Sequence, residues 1–198
     1  MSQPAGIMLA LLAAGQSSRF GDQDKLTALL GDRMLGLHAA GTAADMAFVG
    51  KLVIGSPQHG CAADWRRLGY QIIRNEDAAL GQATSVRLAA AHALRAGARA
   101  LCIMLADMPF VTRDHLGRLI TTFQQSGRIV ASSRHGQAMP PAIFSSAMLE
   151  QLTTLNGDSG ARGLLAEAHL VAGSDQLLLD IDSQKDLAAA NILYDQIN

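Results

Sequence analysis

Residues 7–26 read IMLALLAAGQSSRFGDQDKL, an apolar run that passes directly into a glycine-containing loop with two cationic side chains. The short apolar run is typical of a strand that is buried on both faces of a parallel sheet. Gly15 and Gly21 allow the loop to turn tightly and bring backbone N–H groups close to a ligand. Arg19 and Lys25 add donors that match phosphate oxygens, so the loop favours a polyphosphate ligand. An ordinary solvated surface loop with the same residues is the alternative interpretation.

The spacing of this loop differs from the common phosphate-binding and nucleophile motifs. The pattern GxxxxGK[ST] is absent, and Gly15 and Gly21 do not form GxGxxG, which disfavours a Walker-type NTPase and a nicotinamide-dependent dehydrogenase. Ser17 and Ser18 lack the GxSxG context of a hydrolase nucleophile.

Apolar runs alternate with helical patterns along the rest of the chain, which predicts βαβ units. The predicted strands are 7–13, 51–54, 70–73, 100–105, 128–131, 141–144 and 176–179. The predicted helices are 34–47, 60–68, 82–96, 113–126, 145–153, 160–168 and 184–196. We therefore expect a single domain over residues 1–198 with an α/β fold, in which three α/β/α layers enclose a mostly parallel, mixed sheet. The run at 141–144 is the candidate antiparallel strand.

The composition and charge of the chain disfavour several classes of binding partner. The 198 residues include 16 basic and 17 acidic residues, a net charge of −1, and nucleic-acid-binding domains usually carry a basic stripe instead. Cys61 and Cys102 form no CxxC or metal-binding spacing, and the six histidines form no paired ligand spacing, so a zinc site is disfavoured. The N-terminal apolar run is too short to span a bilayer and lacks a charged leader. We expect a soluble, cytoplasmic protein of a reducing compartment without nucleic-acid or membrane partners.

Two aspartates are candidate metal ligands. Asp107 lies two residues after the apolar run 100–105, and Asp182 follows the run 176–179. Because ligands bind at the carboxyl ends of strands in open α/β sheets, both carboxylates are expected near the polyphosphate loop, where they could share Mg²⁺. The structural alternatives are a turn-forming role for Asp107 and a helix N-terminal role for Asp182.

Six segments, taken in order, together resemble the MobA-like NTP transferase family. They are LAAGQSSRFG…KL in the first loop, GQATSV at 81–86, LADMP at 105–109, PAIFS at 141–145, NGDSGARGLL at 156–165 and DIDSQKDL at 180–187. The chain departs from the family pattern in having three residues instead of two between Gly21 and Lys25. It also has Ala138 and Met139 where the family has a glycine. The resemblance implies a nucleotide-diphospho-sugar transferase-like Rossmannoid fold.

The resemblance implies a Mg²⁺-dependent nucleotidyltransferase that moves a nucleoside monophosphate from an NTP to a phosphorylated acceptor and releases pyrophosphate. It implies catalytic roles for Arg19, Lys25 and Asp107, and a metal held by Asp107 and Asp182. The implied nucleotide-binding residues are Leu12, Ala13, Ala14, Gly15, Arg19, Lys25, Thr84, Ser85 and Asp107. Asp158 and Arg162 are implied on the acceptor side. For Thr84 and Ser85 the alternative is helix capping, and for Asp158 and Arg162 it is a structural pair that closes a turn.

Within this family, LAAG followed by a serine-containing loop is more similar to the molybdenum cofactor cytidylyltransferases than to the guanylyltransferases, whose loop reads LAGG. The Ala14 methyl group would narrow the space beside the base and favour a pyrimidine. The implied substrates are CTP and a molybdopterin-type acceptor, with a molybdoenzyme as a possible client. The alternatives are a GTP-dependent guanylyltransferase, a sugar or polyol phosphate cytidylyltransferase, and a non-catalytic carrier of the molybdenum cofactor.

Overall fold

The computed structural model describes residues 6–15, 20, 24–155 and 161–197, with the backbone alone at Arg162. Its strands are β1 (Ile7–Leu12), β2 (Leu29–Leu30), β3 (Arg33–Met34), β4 (Gly50–Gly55), β5 (Gln71–Arg74), β6 (Ala100–Leu105), β7 (Val130–Arg134), β8 (Gln137–Ser145) and β9 (His169–Ala172). Seven of them form one sheet in the order β5-β4-β1-β6-β8-β7-β9, and β2 pairs with β3 in a separate hairpin. In the large sheet β8 runs antiparallel to β6 and β7, whereas the other neighbours are parallel. The predicted mixed sheet is confirmed, with 141–144 in its antiparallel strand.

Helices cover both faces of this sheet. They are α1 (His38–Ala44), α2 (Ala62–Arg67), α3 (Gln82–Arg95), α4 (Arg113–Ser126), α5 (Ser146–Thr153) and α6 (Gln184–Ile197). The helices α3 and α5 pack in the apolar cluster on one face, and α1, α2, α4 and α6 contribute to the cluster on the other. The three-layer architecture is therefore confirmed. Within the described ranges, no helix combines the length and apolar character needed to cross a membrane.

Local sequence signals set several of these helix ends. The Thr112 hydroxyl accepts a hydrogen bond from the His115 N–H, and Gly127 ends α4 with φ +63°. Ser183 and Asp186 form a reciprocal cap at the start of α6, because the Asp186 carboxylate accepts from the Ser183 N–H at 2.8 Å and the Ser183 hydroxyl accepts from the Asp186 N–H at 3.2 Å. The Thr112 and Ser183 hydroxyls thus accept from N–H groups in the first turns of α4 and α6.

Two predicted elements need correction, and two elements were missed. The predicted strand 176–179 is a loop with a turn at 175–178, and its apolar character reflects a segment that covers the core, where Leu178 is fully buried. The last strand is β9, which pairs with β7 but is mostly exposed and so has no buried apolar run to mark it. In place of the predicted helix 160–168 the described part has a 3₁₀ turn, Arg162–Glu167. The hairpin β2–β3 was not predicted.

A buried histidine links α4 to the antiparallel part of the sheet. The His115 Nε2 atom lies 2.8 Å from the Ser132 hydroxyl, which in turn donates to the Pro141 carbonyl. Arg118 donates to Nδ1 of His115 at 2.8 Å, so this imidazole is held as the neutral Nε2–H tautomer. Burial, and then the Arg118 charge, lower the pKa of His115 to about 4.

We expect His115→Gln to reduce the loss of stability on acidification. In the wild type the unfolded chain takes up this proton near pH 6.5 and the folded protein only near pH 4, so the free energy of unfolding falls as pH falls through that window. The pKa shift corresponds to about 3 kcal/mol once the window has been crossed. Denaturant unfolding of both proteins at a series of pH values measures the difference, and parallel curves would contradict the assignment.

Candidate functional site

A cavity of about 290 Å³ opens where β1 and β6 end. These strands are parallel neighbours, with Leu12 opposite Leu105 at their carboxyl ends. The cavity is lined by Leu12, Ala13, Ala14, Gly15, Lys25, Leu26, Ala78, Ala79, Gly81, Gln82, Ser85, Leu105 and Asp107. Its far wall is the 3₁₀ turn Ala78–Leu80 and the start of α3. This is the edge at which open α/β sheets bind their ligands.

Most of the predicted nucleotide-binding residues lie along this cavity. Those that line it are Leu12, Ala13, Ala14, Gly15, Lys25, Ser85 and Asp107. Thr84 does not line it, because its hydroxyl is buried in the first turn of α3 and donates to the Gly81 carbonyl at 2.8 Å. This contact does not cap α3, whose N-cap Gly81 makes no side-chain cap hydrogen bond, and a nucleotide contact of Thr84 stays a prediction. Arg19 lies outside the described residues, and its role stays a prediction.

Asn75 is a residue of this site that the sequence analysis did not single out. Its side-chain amide donates to the Thr84 and Ser85 hydroxyls, at 2.9 Å in each case. This contact orients Ser85, whose side chain faces the cavity. A signal for it was present, because Asn75 directly follows β5 at the same carboxyl edge of the sheet as Asp107.

Lys25 joins three separate parts of the chain at the cavity wall. Its ammonium donates to the Asp107 carboxylate at 2.6 Å, to the Asp182 carboxylate at 3.1 Å and to the Ile181 carbonyl at 2.9 Å. An ammonium group has three protons, so these contacts satisfy it fully. The additional residue between Gly21 and Lys25 thus does not keep Lys25 from the predicted carboxylates.

Asp182 reaches this cluster without a preceding strand. The segment before it is held by the Ile181 N–H, which donates to the Asp107 carbonyl at 3.0 Å. The Asp182 N–H lies 3.3 Å from the Asp186 carboxylate at the start of α6. The prediction that Asp182 follows a strand is wrong, but its predicted proximity to Asp107 is correct.

Burial and charge act against each other on this cluster. Burial alone would lower the pKa of Lys25, but the Asp107 and Asp182 carboxylates outweigh it and raise that pKa. Burial raises the pKa of Asp107, opposed by the Lys25 ammonium, while the Asp182 and Asp180 charges raise it further. A cation is therefore needed between the two carboxylates, and Lys25 supplies it here.

The carboxylate oxygens of Asp107 and Asp182 fit a magnesium-type ion that binds together with phosphates. The Oδ1 atom of Asp107 is buried and has no hydrogen-bond partner. No group of three histidine, cysteine or acidic side chains suited to a metal ion occurs among the described residues. Mg²⁺ commonly takes one or two carboxylates and completes its octahedron with water and substrate phosphates, which matches Asp107 and Asp182.

The structure describes only part of the segment predicted to contact the acceptor. Asp158 lies outside the described residues, and Arg162 is described through its backbone, which begins the 3₁₀ turn Arg162–Glu167. Their predicted contacts with the acceptor stay predictions.

Comparison with known proteins identifies the family. A family model described as the MobA-like NTP transferase domain matches residues 9–176. The chain belongs to the MobA-like NTP transferase family. The predicted family is thereby confirmed, with five of the six segments inside the matched range and 180–187 beyond it, and nucleotidyl transfer is the chemistry of this domain. The narrower assignment to the molybdenum cofactor cytidylyltransferases is not established by this match.

Relatives and solved structures agree with this family. The purine catabolism protein PucB of Bacillus subtilis (strain 168) is 33% identical over 172 residues, which cover 82% of each chain. The crystal structure of the Rv0371c homologue from Mycobacterium sp. strain JC1 has a TM-score of 0.80 and 23% identity over 98% of this chain and 99% of that one. The manganese complex of Rv0371c from Mycobacterium tuberculosis H37Rv has a TM-score of 0.71 and 20% identity, covering 94% and 97% of the two chains. The predicted nucleotide-diphospho-sugar transferase-like fold is confirmed.

Proposed function

We propose that this protein, as a single nucleotidyltransferase domain over 1–198, transfers CMP from CTP to the molybdenum–molybdopterin cofactor and releases pyrophosphate. The observation that carries the transfer is the cluster of Lys25, Asp107 and Asp182 beside the cavity at the ends of β1 and β6. It combines a cation for phosphate oxygens with two carboxylates suited to Mg²⁺. The manganese held by a structural neighbour supports a divalent metal in this fold.

The residues of the cluster suggest how the reaction is assisted. Asp107 and Asp182 would hold Mg²⁺, which when bound neutralises charge on the triphosphate oxygens. Lys25 would then exchange its carboxylate contacts for the triphosphate and the leaving pyrophosphate, aided by Arg19. A phosphate oxygen of the acceptor attacks the α-phosphorus in line, and the bond to pyrophosphate breaks. Because a phosphate monoester is largely ionised near neutral pH, this attack needs no general base from the protein.

The choice of CTP rests on the space beside the first loop. Ala14 lines a cavity of about 290 Å³, at the small end of the range for ligand sites. Its methyl group reduces the room for a purine. The choice of a molybdopterin acceptor rests on the similarity of LAAG and the following loop to the cytidylyltransferases of the family.

Calorimetry with CTP, GTP, ATP and UTP, each with and without Mg²⁺, tests the proposal first. Mg²⁺-dependent preference for CTP is expected, followed by pyrophosphate release when the molybdenum cofactor is added. A preference for GTP would overturn the base assignment, and turnover only with a sugar or polyol phosphate would overturn the acceptor. Binding of the pterin without any NTP would indicate a carrier instead.

We expect Ala14→Gly to shift the selectivity of the protein towards GTP. Removing one methyl group beside the base changes discrimination by about tenfold, the usual effect of one such group in a pocket. The ratio of kcat/KM for CTP to that for GTP measures the shift. An unchanged ratio would show that Ala14 does not select the base.

A further inference from the structure

His59 lies in the loop between β4 and α2 and is held from two sides. Its ring packs against Trp65, with the ring centroids 4.8 Å apart and the planes tilted by 30°. Trp65 is fully buried and donates to the Gly36 carbonyl at 2.9 Å, so it forms a fixed platform. The Nδ1 atom of His59 accepts a hydrogen bond from the Cys61 N–H at 3.0 Å. Because Nδ1 accepts this hydrogen bond it carries no proton, so the ring proton lies on Nε2.

The Nε2 atom of His59 is directed at the residue before Lys25. It lies 2.5 Å from one carboxylate oxygen of Asp24. The other oxygen of Asp24 accepts from the Leu26 N–H at 3.0 Å and caps the 3₁₀ turn Lys25–Thr27. The His59 hydrogen bond is the main cause of the lowered pKa of Asp24, which keeps both oxygens available as acceptors.

The residues after His59 also contact this turn. The Cys61 thiol donates to the Leu26 carbonyl at 3.3 Å. A Cβ atom on Gly60 would lie 2.6 Å from the Thr27 methyl group, so the glycine permits a close backbone approach. Residues 59–61 thus contact Asp24, Leu26 and Thr27, which lie on both sides of Lys25 in the same turn.

We propose that His59 is a positioning residue for nucleotide binding, acting through Asp24 to hold Lys25 at the triphosphate site. This inference rests on the function proposed above. Asp24 is the third of the three residues between Gly21 and Lys25, where the family has two, so its anchoring by His59 fixes the turn despite the longer loop. Because Lys25 has a long side chain, a small rotation of its turn moves the ammonium away from Asp107 and Asp182.

The first test measures the position of Lys25 without any nucleotide. The chain has three lysines, and acetylation followed by mass spectrometry compares Lys25 with Lys51 and Lys185 in the same sample. In His59→Leu, which keeps an apolar contact with Trp65 but has no donor, acetylation of Lys25 is expected to accelerate about tenfold. His59→Gln, whose amide can still donate to Asp24, is expected to restore most of the protection. Equal acetylation of Lys25 in the wild type and His59→Leu would overturn the proposal.

The second test separates triphosphate binding from general damage to the site. By calorimetry with Mg²⁺, His59→Leu is expected to weaken CTP binding about tenfold and to leave CMP binding unchanged, because CMP lacks the outer phosphates. In a Lys25→Met background the same change is expected to have no further effect on CTP binding. Equal losses for CTP and CMP, or additive effects of the two substitutions, would overturn the proposal.

A variant at Asp24 tests the same contact independently of the folding of His59→Leu. Asp24→Asn replaces one acceptor oxygen with an amide donor, so the side chain cannot accept from both Leu26 and His59. It is expected to weaken CTP binding by a similar factor, with thermal unfolding confirming that the protein is folded. A wild type that binds no NTP would overturn the proposed function, whereas the acetylation of Lys25 would still decide whether His59 positions it.

Discussion

Asp107→Asn is expected to lower kcat by about 10³-fold, the scale on which loss of one preorganised electrostatic group acts. The substitution removes the negative charge that would hold Mg²⁺ against the triphosphate, while it keeps the shape of the side chain. The Oδ1 atom of Asp107 is buried and has no hydrogen-bond partner, while Oδ2 accepts from Lys25. Because the position is buried, water cannot readily replace the missing metal ligand. Steady-state release of pyrophosphate with CTP and the acceptor measures the loss.

The same substitution is expected to leave the fold intact. The buried carboxylate carries a desolvation cost that raises its pKa, and a neutral amide does not have this cost. Lys25 keeps its contacts with Asp182 and the Ile181 carbonyl. Circular dichroism and thermal unfolding check this expectation. Asp180→Asn is the matched control, since it removes the same charge nearby and should retain activity. An active Asp107→Asn protein would remove the metal assignment.

Lys25→Met is expected to weaken CTP binding about 100-fold and to lower kcat by a similar factor. The methionine side chain keeps the length of lysine but offers no donor to the triphosphate or to the leaving pyrophosphate. Binding by calorimetry and turnover by pyrophosphate release measure the two effects separately. Lys25→Arg, which keeps the charge but changes its shape, is expected to lie between the wild type and Lys25→Met.

Lys25→Met is also expected to lower the free energy of unfolding by about 3 kcal/mol, because it leaves a buried carboxylate without its counter-charge. The Asp107→Asn, Lys25→Met double variant provides the control. With the Asp107 charge also removed, most of that stability should return, and chemical denaturation of the four proteins measures this coupling. Full CTP binding by Lys25→Met would contradict the role of Lys25, and additive stability losses would contradict its pairing with Asp107.

The sequence predicted those elements whose signals are local. The apolar runs of β1 and β6 and the helical patterns of α3 and α4 lie within the predicted bounds to within a few residues, because each is stabilised by its own periodicity and caps. The apolar run 176–179, in contrast, was wrongly predicted to be a strand. Leu178 is apolar because it covers the core, and burial does not require a strand.

The candidate site residues could also be predicted from the sequence, because ligand-binding residues follow strands at one edge of a parallel sheet. That rule led to Lys25, Asp107 and the LAAG loop. Asn75 also satisfies this rule, since it directly follows β5, but its contacts with Thr84 and Ser85, nine and ten residues away in α3, were not predicted. The rule did not reveal His59, which had no recognisable spacing with another histidine or cysteine.

The sequence by itself thus predicted most of the strands and helices, a triphosphate loop and two candidate aspartates, since each depends on neighbours along the chain. Folding then decided the contacts that define the site. Lys25 meets Asp107 and Asp182 across 82 and 157 positions, and His59 reaches the turn of Lys25 from a different βα connection. Such contacts depend on the twist and packing of the sheet as a whole, which short-range patterns do not encode.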